Sequence, residues 1–199
     1  MVRKNKLSET EFEVLKSFFP EGKEITLKEI MKRSGYSYEP VYRTVKQLVE
    51  KQLILLKKFG KTLVYSLNFN KNFVKIAFFL YANEKKEEFS KKHFLITKSL
   101  SDLTEDDLDF LAIFGSYAKG NYTKNSDIDI LAVTNKQKNI ESEIKSLKYK
   151  LGKELVPVVI PKIEFAKIKN ENEQFWKDLI KYGVIFKGYE LFYYYAYLK

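Results

Sequence analysis

Apolar positions recur at helical spacing through residues 8–50, switch to two strand-like runs, return to helical spacing, and then mix strand and helix periods to the end of the chain. Ser8, with Glu11 in capping-box spacing, opens a helix whose stripe is Phe12, Leu15, Phe18 and Phe19 before Pro20 and Gly22 stop it. A second helix is predicted from Thr26 to Ser34 on Leu27, Ile30 and Met31, ended by Gly35 as a left-handed cap. Ser37 caps a third, which carries Pro40 in its first turn and buries Val41, Val45, Leu48 and Val49. Leu53–Phe59 and Thr62–Leu67 then read as a hairpin across Gly60-Lys61. From Lys71 to Ser99 there is neither proline nor glycine, and Phe73, Val74, Ala77, Phe78 and Tyr81 predict one long linking helix. Ser101–Asp109, rich in acids, is a loop or short helix leading onward.

Three helices followed by a hairpin resemble the winged helix-turn-helix family over residues 8–70. The resemblance implies that the third helix enters the major groove of duplex DNA and the hairpin touches phosphates. Tyr42, Arg43 and Lys46 lie on the polar face of that helix and would take the base-edge and backbone roles, with Lys57, Lys58 and Lys61 on the phosphates. The same residues also read as a solvated helix face and a lysine-rich turn, as in winged helices that dock proteins or dimerise.

The second half of the chain carries the chemistry. Asp109–Phe114 is an apolar run of strand length that ends in Gly115-Ser116, followed by Tyr117-Ala118-Lys119-Gly120 and a polar loop. Asp127-Ile128-Asp129-Ile130-Leu131-Ala132-Val133 is a second strand, whose two carboxylates share a face by the two-residue period. Like charges side by side are costly to bury, and a divalent cation is the usual compensation; hard oxygen donors select magnesium or manganese. A Gly-Ser turn entering a short helix offers N–H groups and a hydroxyl to a phosphate.

Phe114-Gly115-Ser116, the spacing to Asp127, and Asp127-x-Asp129 resemble the signature of the polymerase-β-type nucleotidyltransferase superfamily, most closely its minimal members, over about residues 108–187. The resemblance implies that Gly115 and Ser116 hold the β- and γ-phosphates of an NTP, that Asp127 and Asp129 bind Mg2+ or Mn2+, and that Lys119, where arginine is usual, adds charge at the phosphates. Ser126 stabilises the turn. One departure stands out: the superfamily's third carboxylate falls on Val156 of the next strand, Leu155–Ile160, with Glu154 two residues earlier as a substitute. Helices near Ile140–Lys150, Lys162–Ile168 and Glu171–Tyr182 follow, the last with Phe175, Leu179 and Ile180 inward, then an edge strand Val184–Phe186 and a tyrosine-rich tail, Leu191–Leu198. That tail is packing, a base-stacking surface or a homodimer contact.

Composition narrows these readings. The chain has 199 residues, no cysteine and one histidine, which removes disulfides, cysteine-ligated zinc and Ser-His-Asp hydrolysis, and leaves carboxylates, lysine and a hard metal ion to do the work. His93, with no ligand-type neighbour in sequence, reads as structural. The net charge of +10 divides as +6 over residues 1–70, −1 over 71–109 and +5 over 110–199, so the surplus sits on the two parts expected to meet phosphates. No apolar run approaches a membrane span, and the basic start lacks the apolar stretch of a secretory signal, so a cytoplasmic location is expected.

The expected architecture is α+β: a winged helix-turn-helix over 1–70, a helical linker over 71–107 and a nucleotidyltransferase-like α/β domain with a mixed sheet over 108–199. The expected activity is transfer of an NMP from an NTP to a hydroxyl on an RNA or protein acceptor. A regulator or antitoxin-like protein that senses nucleotide through a weak or inactive domain is the alternative, and a pure DNA-binding adaptor is a third.

Overall fold

A computed structural model of the chain describes residues 6–103 and 108–199, so Glu105, Asp106 and Asp107 of the acidic connector lie outside the described residues. The chain divides into two units, one reaching to Tyr81 and the other running from Ala82 to Tyr197.

In the first unit, α1 (Glu9–Lys16), β1 (Ile25–Thr26), α2 (Leu27–Ser34) and α3 (Tyr38–Glu50) precede the hairpin β2 (Ile54–Phe59) and β3 (Thr62–Leu67). Ser8 and Glu11 close the expected capping box: the Ser8 N–H donates to Glu11 at 2.9 Å and the Glu11 N–H to the Ser8 hydroxyl at 3.2 Å. Glu11 is nevertheless buried, and the Lys51 ammonium supplies its counter-charge. Thr26 and Glu29 form a second such box that opens α2, and Gly35 ends it in the left-handed region at φ 76°. The sequence pattern shows only two strands here. The third, β1, pairs with β3 through Ile25↔Tyr65 and gives the antiparallel order β1-β3-β2; it is too short for a two-residue period to register. Val14, Leu15, Phe18, Ile30, Val41 and Leu48 form the core, and Thr44 is buried while Val49 is only partly so.

The long helix expected from Lys71 to Ser99 is two helices. α4 (Asn72–Lys92) ends at His93, whose φ of −135° and ψ of 49° break the helical path, and α5 (Phe94–Ser101) follows. No glycine or proline marks the break. His93 instead packs its ring on Phe89 at 4.5 Å and against Tyr117 and Tyr122, so tertiary contacts, absent from any local pattern, replace a breaker residue.

The second unit is built on a four-stranded mixed sheet of order β6-β5-β4-β7, made from β4 (Leu108–Ile113), β5 (Ile128–Thr134), β6 (Leu155–Ile160) and β7 (Val184–Lys187). β4 is antiparallel to both β5 and β7, while β5 and β6 run parallel, joined through α7 (Gln137–Ser146) and α8 (Lys148–Leu151). The helix expected over 140–150 is thus split at Leu147. Ile128, Ile130 and Ala132 of β5 enter one core with Ile113, Ile140, Ile144, Leu155 and Val184. On the other side of the sheet Phe110 meets Phe165 at 5.1 Å and Phe192 at 5.7 Å. A sheet covered on both faces explains why β4 and β5 read as almost unbroken apolar runs.

α6 (Gly115–Lys119) lies between β4 and β5. α9 (Lys162–Phe165), α10 (Ile168–Glu171) and α11 (Glu173–Tyr182) follow β6 as three pieces where two helices were expected. Asn172 separates the last two by accepting the Phe175 N–H at 3.1 Å. Trp176 and Leu179 are the buried residues of α11, whereas Phe175 and Ile180 are half-buried. The chain ends in α12 (Tyr189–Tyr193) and a π-type turn over Tyr194–Leu198.

Candidate active site

β4 delivers the chain to the site. Phe114, extended after Ile113, donates its N–H to the Asp129 carbonyl at 3.0 Å and ties the end of β4 to the start of β5. Gly115 then adopts φ 66°, and a Cβ built on it would come within 1.9 Å of Asp129 Oδ2. Glycine is required twice over: by the left-handed backbone and by the carboxylate against it. The Ser116 N–H donates to the Asp129 carboxylate, so this amide is already engaged.

Asp127 lies one residue ahead of β5 and is exposed, whereas Asp129 is half-buried within the strand. Strand alternation directs Ile128 and Ile130 into the core and leaves both acids on the opposite face. Burial raises the Asp129 carboxyl above the usual carboxylate range, repulsion from Asp127 raises it further, and the Ser116 N–H offsets part of this. A divalent cation relieves that strain by attraction to both acids, so the donor set fits a hard cation. Among the described residues no three histidine, aspartate or glutamate side chains gather as a metal cage. Across the parallel pair Asp129 stands in register with Val156, which keeps 40% of its surface exposed, and Glu154 spends its carbonyl on the Ile128 N–H at 3.0 Å. Ser126 holds the intervening loop by accepting the Thr123 N–H at 2.8 Å.

Lys119, at the far end of α6, is paired with Asp178 of α11 at 2.6 Å and lies 5.6 Å from the centre of the Tyr182 ring. The ammonium holds the Asp178 carboxyl below its ordinary range, mainly through their hydrogen bond. Phe114 packs edge-on against Phe175 of the same helix at 5.1 Å. α11 therefore buttresses both ends of the Gly115 turn, a role its amphipathic pattern alone did not reveal.

Residues 95–186 match the family model of the nucleotidyltransferase domain. They form a nucleotidyltransferase domain. The match opens in α5, ahead of β4. A candidate protein adenylyltransferase of Methanocaldococcus jannaschii is 35% identical over 51 residues, which cover 26% of this chain and 52% of that protein. The chain thus spans about half the length of the curated relative it matches. Among solved structures, a toxin-antitoxin crystallised with AMP-PNP is 23% identical, with a TM-score of 0.35 over 51% of this chain and 80% of its own. A candidate nucleotidyltransferase of Sulfolobus solfataricus is 25% identical, with a TM-score of 0.27 over 52% of this chain and 84% of its own.

Outside the nucleotidyltransferase domain, the other residues singled out in the sequence lie on the first unit. Tyr42, Arg43 and Lys46 are exposed along α3, where Tyr42 stacks on Tyr38 at 5.6 Å and Arg43 reaches Glu39 at 3.4 Å. Lys57, Lys58 and Lys61 are exposed on the hairpin, with Lys57 paired to Glu24 at 2.6 Å. No helix among the described residues is long and apolar enough to cross a membrane.

Proposed function

We propose that the nucleotidyltransferase domain transfers a nucleoside monophosphate from an NTP to a hydroxyl on an acceptor. The acceptor oxygen bonds to the α-phosphorus, the bond from that phosphorus to its bridging oxygen breaks, pyrophosphate leaves, and the hydroxyl proton passes to solvent. Asp127 and Asp129 would hold Mg2+ or Mn2+, which when bound offsets charge on the triphosphate and on the two acids. The Ser116 hydroxyl meets the phosphates, Gly115 lets Asp129 stand directly against the turn, and Lys119, shared with Asp178, adds positive charge from the end of α6. The observation that carries this reading is the absence of space at Gly115 for anything but Asp129. The name of the M. jannaschii relative favours ATP as donor and a protein hydroxyl as acceptor.

The test is to incubate the full chain with each labelled NTP, Mg2+ or Mn2+, and RNA, protein or cell-extract acceptors, beside an Asp129→Ala control. Label transferred by the wild type alone supports the reading. Equal label on both proteins, or on neither, overturns it for those acceptors.

Val156 favours a second reading. With an apolar residue in register with Asp129, the domain binds nucleotide and turns it over slowly, serving as a sensor for the first unit. Nucleotide binding without transfer in the same experiment selects this outcome. In either case we propose that the first unit is a winged helix-turn-helix that contacts duplex DNA through Tyr42, Arg43 and Lys46, with Lys57, Lys58 and Lys61 on phosphates. The exposure of all six supports it. If Arg43 and Lys46 meet phosphates, replacing both by alanine flattens the slope of log affinity against log salt by about two. An unchanged slope counts against the proposal.

A further inference from the structure

A cleft of about 290 Å³ opens at the far end of α6, lined by Lys119, which pairs with Asp178, but by neither Asp127, Asp129 nor Ser116. One wall is a face of α4, where Lys85, Phe89 and Lys92 recur at helical spacing. The other wall is aromatic: Tyr117 and Tyr122 stack at 4.4 Å with their planes 10° apart, and the His93 ring meets them edge-on at 5.4 and 5.0 Å. Tyr117 is buried, whereas Tyr122 keeps 38% of its surface exposed. Lys85 donates to the Lys181 carbonyl at 2.9 Å, which fixes the ammonium and leaves it further protons to give. Its surroundings bring the amine down to about 8, chiefly by desolvation. Lys92 is exposed and takes part in none of the ion pairs described above, while Glu88 is the one carboxylate among the described residues that line the cleft.

Flat rings beside lysines suit a ligand with a planar aromatic part and an anionic part. An acidic side chain would use the lysines and waste the rings; a nucleotide uses both. The size lies at the small end of small-molecule sites, which accommodates one nucleotide and no more. We propose that this cleft is a second ligand site of the domain, taking one nucleoside monophosphate unit with its base on Tyr122 and its phosphate at Lys92 and Lys85. The unit comes either as a free nucleotide or as the end of a single strand.

Titration calorimetry on the full chain without divalent cation tests this with two probes, AMP and a 5′-phosphorylated oligoadenylate of five residues. Binding of both at similar strength identifies a free-nucleotide site, and binding of the oligonucleotide alone identifies a strand-end site; each supports the proposal. Tyr122→Ala should weaken the bound probe about tenfold and Lys92→Glu several-fold, with Tm unchanged for Lys92→Glu as the control for folding. Asp129→Ala should leave both affinities as they are. That last arm separates this site from the transfer reaction, because the cleft survives if transfer is never found. Failure of both probes to bind, or binding lost with Asp129→Ala and kept in Tyr122→Ala and Lys92→Glu, overturns the proposal.

Discussion

Leu55, Leu56, Phe59 and Leu63 on the hairpin of the first unit are between 43% and 59% exposed, whereas Ile128, Ile130, Leu131, Ala132 and Val133 on β5 of the nucleotidyltransferase domain expose none of their surface. The residue types are alike; what covers them is not. β5 has packed side chains on both faces, so every residue on it faces a dry environment or a strand end, and a carboxylate there costs free energy that only function repays. β2 is an edge strand with water on most of its surface, where an apolar residue carries little information about packing. An Asp on β5 is therefore a stronger signal than any number of leucines on β2.

The contrast breaks most visibly under truncation. Ile130→Ala should cost about 2–5 kcal/mol in chemical denaturation, because the cavity is walled on all sides. A smaller but more pointed loss is expected for Gly115→Ala. The left-handed backbone alone penalises alanine by about 1–2 kcal/mol, and the new Cβ displaces Asp129, so transfer should drop to the level of the Asp129→Ala control. Retained activity in Gly115→Ala would sink the assigned geometry.

Asp129→Asn should raise the Tm of the metal-free chain. Because the carboxyl is raised in the folded state, its ionisation opposes folding, and the penalty is absent below the ordinary aspartate range and present once pH exceeds the raised value. The gain in Tm over wild type should accordingly appear as pH climbs from about 4 toward 7. A gain that is the same at both ends contradicts the assigned cause. Val156→Asp places a third carboxylate in register with Asp129, and the thermal shift on adding Mn2+ should exceed that of the wild type. The smallest effect belongs to the hairpin: Phe59→Ser should change stability by less than about 0.5 kcal/mol, since little surface is removed from water there on folding.

Much of this was legible in residue order. Gly115-Ser116 and Asp127-x-Asp129 declare themselves because turn geometry and strand alternation are local, and the capping box of Ser8 and Glu11 and the left-handed Gly35 are equally local. β1 was hidden because two residues cannot show a period. The break at His93 was hidden because it rests on rings contributed by Tyr117 and Tyr122, residues distant in sequence. The pairing of Lys119 with Asp178 and the cleft lined by α4 and α6 could not be read from either segment alone, since each is the meeting of two elements whose own patterns are ordinary.

The strand order β6-β5-β4-β7 has a consequence for biosynthesis. Among the described residues β4 is the first strand of the nucleotidyltransferase domain to be synthesised, and its partner β7 is the last. Until Val184–Lys187 leaves the ribosome, one side of an almost wholly apolar strand has no neighbour, and a nascent chain in that state offers an edge on which other chains can pair. Premature termination between β6 and β7 would thus yield a sticky fragment in which β4, buried between two strands in the finished sheet, becomes a second bare edge beside that of β6.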